Sequence, residues 1–295
     1  MKKILFPLLA IIFTLFSFCA QALITRSVDN FDVLEQIASS LNEDSLVIFD
    51  VDKVLLIKSD PSEREYRKER RAAKTITSLY DPNSELGQKL DRHTKDKLWS
   101  IYIQSATQNL IDTNVPAVIQ KLQKRGVKVM ALTRFPVGKI GLLPSMEQFR
   151  IQELASNNID FSLAFSEHSP LVFKQFAYED KHPTFFNGIL FTHMTACTKG
   201  QLLKAFFERI NWKPKWVITF DDQMDNLQSL QEELNGLGIA FEGFEFIGSA
   251  SWATEYNKEL AEFQMQYLIE HELWLDSTKA REMLKEGNQT IPKNK

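Results

Sequence analysis

The stretch Ser45-Leu-Val-Ile-Phe-Asp50-Val-Asp52 sets two carboxylates, one residue apart, directly after an unbroken apolar run. Such a run, preceded by the polar Asn42–Asp44, reads as a short strand buried on both faces, as in a parallel sheet covered by helices. In open α/β folds, ligands bind at the carboxyl edge of such strands. The side chain of Val51 points away from those on either side, so both acids are able to face one site. Asp-x-Asp also ends ordinary strands in plain turns, and the pair by itself leaves both readings open.

Three later segments supply context. Lys121 to Arg125 closes a helical stretch, Gly126 stops it, and Val127-Lys-Val-Met-Ala-Leu-Thr133 follows as a second buried strand ending in a hydroxyl. Thr198-Lys199-Gly200 opens a helical run through Ile210 and puts an ammonium near a helix start. Trp216-Val-Ile-Thr-Phe-Asp221-Asp222-Gln-Met-Asp225-Asn226 is a third strand with an acidic cluster at its end. Together they offer a nucleophile, a proton donor, donors for phosphoryl oxygens and ligands for a divalent metal, which are the parts phosphoryl transfer needs.

The order D-x-D-x-V, strand-Thr, Lys at a helix start and D-D-x-x-x-N, spread from Ser45 to Gly248, resembles the four signature motifs of the haloacid dehalogenase (HAD) superfamily of phosphohydrolases. It is closer to a secreted branch of that superfamily than to its periplasmic acid phosphatases, whose pattern after the first motif is absent here. The resemblance implies a Rossmann-like three-layer α/β sandwich with a parallel central sheet and a helical cap insertion. It makes Asp50 the nucleophile and Asp52 the general acid and base. Thr133 would bind phosphoryl oxygens and Lys199 would neutralise nucleophile and phosphate. Mg²⁺ would be held by Asp222 with Asp221, with Asn226 as a further candidate, together with Asp50 and the backbone carbonyl of Asp52. Lys53 departs from the family, which has a small or acidic residue there. It is read first as a surface charge and second as an extra phosphate contact. Arg134, directly after Thr133, is a candidate phosphate contact, with a surface ion pair as the alternative.

A chain of 295 residues, 44% hydrophobic, is long enough for one large domain with an insertion. Met1-Lys2-Lys3, the apolar run Ile4 to Phe18 and Ala20-Gln21-Ala22 have the layout of a cleaved secretory signal over residues 1–22. The expectation is therefore an exported protein, periplasmic or secreted, with no stable membrane insertion after cleavage. The formal net charge of −3 gives no global attraction for nucleic acid. Cleavage after Ala22 leaves Cys197 as the single cysteine. Inert burial is its expected state. His193 lies four residues before it, and two candidates do not make a zinc site.

Between the motifs, Val28 to Leu41 reads as a leading helix. The span 59–114 reads as helical and charged, a cap inserted in the core domain 23–295. Its run Glu63 to Arg71 has the pattern of a solvated helix face with i,i+4 pairs; the functional reading brings one or two of its arginines to an anionic substrate. Ser145 to Ala155 reads as helix, Phe161 to Phe165 and Gly188 to Thr192 as strands, Phe244 to Gly248 as a further strand, and Glu259 to Lys285 as one amphipathic helix. The tail after Gly287 reads as disordered. The resulting expectation is a Mg²⁺-dependent phosphatase acting on small phosphorylated substrates. The alternative is the same fold kept as a binding or host-interaction module with weak or no turnover.

Overall fold

The computed structural model describes residues 23–60, 64, 76–254 and 257–289. The first part of the chain forms β1 (Leu23–Val28), α1 (Asp32–Ile37), β2 (Ser45–Phe49), β3 (Leu56–Lys58), α2 (Glu85–Lys89), α3 (Arg92–Ser105) and β4 (Gln108–Leu110). The middle forms α4 (Val115–Lys124), β5 (Lys128–Thr133), α5 (Met146–Ser156), β6 (Leu171–Val172), β7 (Thr184–Phe186) and β8 (Ile189–Phe191). The remainder is α6 (Lys199–Ile210), β9 (Trp216–Asp221), α7 (Met224–Gly236), β10 (Ala240–Phe246), α8 (Lys258–His271) and α9 (Ser277–Gln289).

Eight strands make one sheet in the order β1-β10-β9-β2-β5-β8-β7-β6. Pairing is parallel from β1 to β8 and antiparallel for β8-β7 and β7-β6. The protein is thus α/β with a mostly parallel central sheet. Alternate residues of the central strands divide between two apolar layers. Val47, Phe49, Val129, Ala131, Ile218 and Phe220 face a core with Leu34, Ile119, Leu122 and Leu268. Leu46, Ile48, Met130, Leu132 and Val217 face one with Leu203, Phe206, Leu227 and Leu230. Helices therefore cover both faces, and β2, which is fully buried, carries its run of apolar residues for that reason.

Aromatic rings form a platform immediately below the carboxyl edge of the sheet. Phe49 stacks on Phe220 at 5.5 Å and Phe220 on Phe244 at 5.0 Å between centroids, while Phe31 stacks on Phe246 at 4.8 Å. Phe49 and Phe220 each precede an acid of the first and last motifs. Those acids consequently emerge from a dry, close-packed base.

Several elements differ from the sequence expectation. Val28 ends β1, an edge strand, and the helix after it spans only Asp32–Ile37. Phe161 to Phe165 is not a strand: Ala164 donates its N–H to the Phe161 carbonyl and Phe165 has φ +53. Both rings are still buried, so burial produced the apolar pattern without an extended backbone. Glu259 to Lys285 is two helices, α8 and α9, broken where Glu272 takes the left-handed conformation at φ +52. Helix α9 continues through Gln289, past the expected start of a disordered tail.

The insertion is not helical throughout. β3 and β4 pair antiparallel, Leu56 opposite Leu110 and Lys58 opposite Gln108, so a two-stranded ribbon brackets α2 and α3. Of the charged run from Glu63 to Arg71 only Arg64 is among the described residues; the proposed signal segment 1–22 also lies outside them. Among the described residues no helix is long and apolar enough to cross a membrane.

Candidate functional site

Parallel pairing brings the ends of three strands together. Phe49 of β2 pairs with Phe220 of β9 and with Ala131 of β5. Asp50, Asp221 and Thr133 therefore leave adjacent strands at one edge. Lys199 is the first residue of α6, whose N-cap Thr198 forms a reciprocal capping box with Gln201. That cap satisfies the helix's first donors and fixes where the lysine starts. Gly200 lets α6 lie tight on α7: a Cβ there would sit 2.0 Å from the Ser229 carbonyl oxygen.

The lysine closes the site. Lys199 Nζ lies 2.9 Å from Asp50 Oδ1 and 2.6 Å from Asp221 Oδ2, with Lys199 and Asp221 each 1% exposed in their side chains. Asp50, Asp221 and Asp222 each offer a carboxylate oxygen within 4.8 Å of the others. Three carboxylates around one ammonium leave an excess of negative charge inside the protein. Burial pushes the Asp50 carboxyl up to about 7; Lys199 pulls it back, and Asp221 and Asp222 add to the rise. Asp222 is raised for the same reason, burial first and then Asp221, with Lys53 opposing. Burial by itself would lower the Lys199 ammonium, but Asp221 and Asp50 outweigh it and the net shift is upward.

The three acids are not equivalent. Asp221 has both oxygens engaged: Oδ2 by Lys199, and Oδ1 by the Gln223 N–H at 2.9 Å and by Asn226 Nδ2 at 2.8 Å. Asp50 engages Lys199 through Oδ1, and Asp222 accepts from the side chain of Gln223. Asn226 is buried, and its Oδ1 has no hydrogen-bond partner. A divalent cation at this cluster would meet Asp50 and Asp222 directly, with the Asn226 oxygen as a further hard donor; these donors suit Mg²⁺. Asp221 instead holds Lys199. Asp225, on the first turn of α7, does not belong to the cluster.

Asp52 stands apart from this cluster. Its half-exposed carboxylate accepts from Arg150 Nη2 at 2.9 Å, and Arg150 is 1% exposed in its side chain. The guanidinium also lies 3.3 Å from Glu153 and 3.8 Å from the centre of the Phe135 ring. Arg150 escaped the sequence reading. Its signal was an arginine on the stripe Met146, Arg150, Leu154, the buried face of α5. Lys53 occupies a tight turn after Asp52 with φ +67, its N–H donated to Leu56 O at 2.7 Å. A lysine in that conformation is unusual, and its charge acts on Asp222 rather than only on solvent.

The other expected residues lie as follows. Thr133 is buried and its Oγ1 accepts from the Phe135 N–H at 3.3 Å. Arg134 is exposed, and among the described residues nothing ties its guanidinium to the acids. Cys197 packs against the second apolar core, and burial pushes its thiol up to about 12. His193 is buried and accepts the Val137 N–H at Nδ1. A cavity of about 410 Å³ opens beside Asp52, Lys53 and Asp222.

Residues 27–281 match the family model described as "Protein of unknown function (DUF2608)". The chain belongs to this family. The chain is also 22% identical over 287 residues to an uncharacterized protein of Rickettsia prowazekii (strain Madrid E), covering 96% of this chain and 98% of the relative. No solved structure matches this DUF2608 chain.

Proposed function

We propose that the chain is a Mg²⁺-dependent phosphatase that hydrolyses small phosphomonoesters through an aspartyl-phosphate on Asp50. The observation that carries the reading is the buried ammonium of Lys199 bridging Asp50 and Asp221, with Asp222 beside them. Such a site combines a held nucleophile with an excess of negative charge that a cation would offset. On this reading the fold is a Rossmann-like HAD core, the β3–β4 ribbon with α2 and α3 forms the base of its cap, and the protein is exported.

Asp50 attacks phosphorus through the carboxylate oxygen that Lys199 leaves free, and the bond from phosphorus to the leaving oxygen breaks. Asp52 gives its proton to that oxygen, then takes one from the water that attacks the aspartyl-phosphate, which releases phosphate and restores Asp50. Lys199 and the Thr133 hydroxyl receive the phosphoryl oxygens. Mg²⁺, when bound, supplies charge neutralisation for nucleophile and phosphoryl group.

A second reading, a binding module of the same fold, is favoured by one observation. Asp52 is tied to Arg150, so proton donation requires that bond to be released. The test is Mg²⁺-dependent hydrolysis of p-nitrophenyl phosphate by the parent chain and by Asp50→Asn. Turnover that vanishes in the variant, with the fold retained and fluoroberyllate binding only in the presence of Mg²⁺, supports the enzyme. Equal turnover by both proteins rejects Asp50 as the nucleophile.

A further inference from the structure

The cavity beside Asp52 and Asp222 runs on between the β3–β4 ribbon and the short helical turn Gly248–Trp252, lined there by Ile57, Lys58, Tyr102, Gln108 and Ala250. Its volume of about 410 Å³ lies in the range of small-molecule pockets, roughly 300–1,000 Å³. Its lining is mixed in charge: Asp52 and Asp222 stand there with Lys53, and Lys58 and Arg64 add two further cations among apolar and aromatic surface.

Neither Lys58 nor Arg64 has a carboxylate partner among the described residues. Lys58 is half-buried and places Nζ 5.5 Å from the centre of the Tyr102 ring. Arg64 donates to the backbone carbonyls of Lys58 at 2.9 Å and Ser59 at 2.7 Å and lies over the Trp252 ring. The contrast with the buried Lys199 and Arg150, which both meet carboxylates, is clear. A half-desolvated positive wall beside apolar surface attracts an anion.

We infer that this cavity receives the organic part of the phosphomonoester, and that Lys58 recognises a second anionic group carried on an aromatic or apolar body. The inference rests on the phosphatase reading, because it takes the phosphoryl group to lie at Asp50. With the phosphorus held there, the leaving group extends past Asp52 into the cavity. Lys58 then lines the same cavity two residues along β3 from Leu56, which bridges to Asp52, and is backed by the Tyr102 ring.

The experiment compares phenylphosphonate with 4-carboxyphenylphosphonate, two stable mimics, by calorimetry on the full chain with Mg²⁺. The carboxylated compound should bind about tenfold more tightly, about 1.4 kcal/mol. Lys58→Met should bring the ratio close to one and Lys58→Arg should keep it, with Lys58→Gln in reserve if the Met variant unfolds. Lys215→Met removes a cation paired with Asp44 at the opposite edge of the sheet and should leave the ratio at tenfold. Equal affinities in the parent chain, no binding of either compound, or an undiminished ratio in Lys58→Met overturns the inference. Turnover of p-nitrophenyl phosphate, measured in parallel, separates the two ideas. Turnover with equal affinities rejects the pocket alone, whereas a Lys58-dependent preference without turnover rejects the phosphatase alone.

Discussion

Arg150 and Asp52 form an ion pair of 2.9 Å in which the guanidinium is 1% exposed and the carboxylate 48%. The cation is thus the buried member and the acid is the one that faces the cavity. Helix α5 thereby fixes a residue that the strand β2 delivers from 98 positions away.

Removing that cation should be costly. Arg150→Met leaves Glu153, which is 11% exposed in its side chain, without its cation and frees Asp52. The expected loss is about 3 kcal/mol, within the range for breaking a buried pair. Lys at this position should recover little, since it cannot reproduce a planar donor stacked on Phe135. Denaturant unfolding decides it: a loss below about 1 kcal/mol, the size of an exposed pair, would show that the interaction is peripheral.

Asp221 and Asp222 should separate cleanly. Asp221→Ala strips Lys199 of one of its two carboxylates and orphans donors from Gln223 and Asn226, so stability should drop by about 3 kcal/mol. Asp222→Ala should change stability little but weaken Mg²⁺ binding in calorimetry. If Asp221→Ala alone weakens the metal while stability holds, the assignment of the two acids is reversed.

Much of this arrangement is legible in the sequence. Strands β2, β5 and β9 are buried on both faces, so each reads as a continuous apolar run whose end is marked by Asp or Thr. What escaped was tertiary. β1, Leu-Ile-Thr-Arg-Ser-Val, is an edge strand that mixes polar and apolar residues and offers no such run. Phe161 and Phe165 bury their rings from a turn, which local spacing cannot distinguish from a strand. The division of labour between Asp221 and Asp222 depends on which oxygens Lys199, Gln223 and Asn226 occupy. Adjacent acids in a sequence carry no record of that.

Gly200 should tolerate no side chain. With a Cβ 2.0 Å from Ser229 O, Gly200→Ala must part α6 from α7 and shift Lys199. A loss of about 2 kcal/mol fits overpacking of this kind. A thermal melt unchanged from the parent would mean the helices have slack there.

Cys197 should be chemically quiet in the folded protein. The thiolate is the reactive form, and burial pushes this thiol up to about 12. At pH 8, Cys197 in the folded chain with Cys19 replaced by Ser should therefore react with iodoacetamide roughly a thousandfold more slowly than in the same chain in guanidinium, where an ordinary thiol pKa of about 8.5 returns. The folded rate should rise about tenfold per pH unit through pH 10. A fast, pH-independent reaction would contradict a thiol raised by its half-buried position.

The pairing of β1 with β10 sets Leu23 against Glu242, and this has a kinetic meaning. The outer strand of the sheet has no neighbour until β10, more than 200 residues later, exists. At about 5–20 residues per second of synthesis, Leu23–Val28 waits roughly 10–45 s for its partner. Contacts that span so much sequence also slow folding itself. The edge of the sheet at β1 thus stays open during synthesis and closes only once β10 has been made.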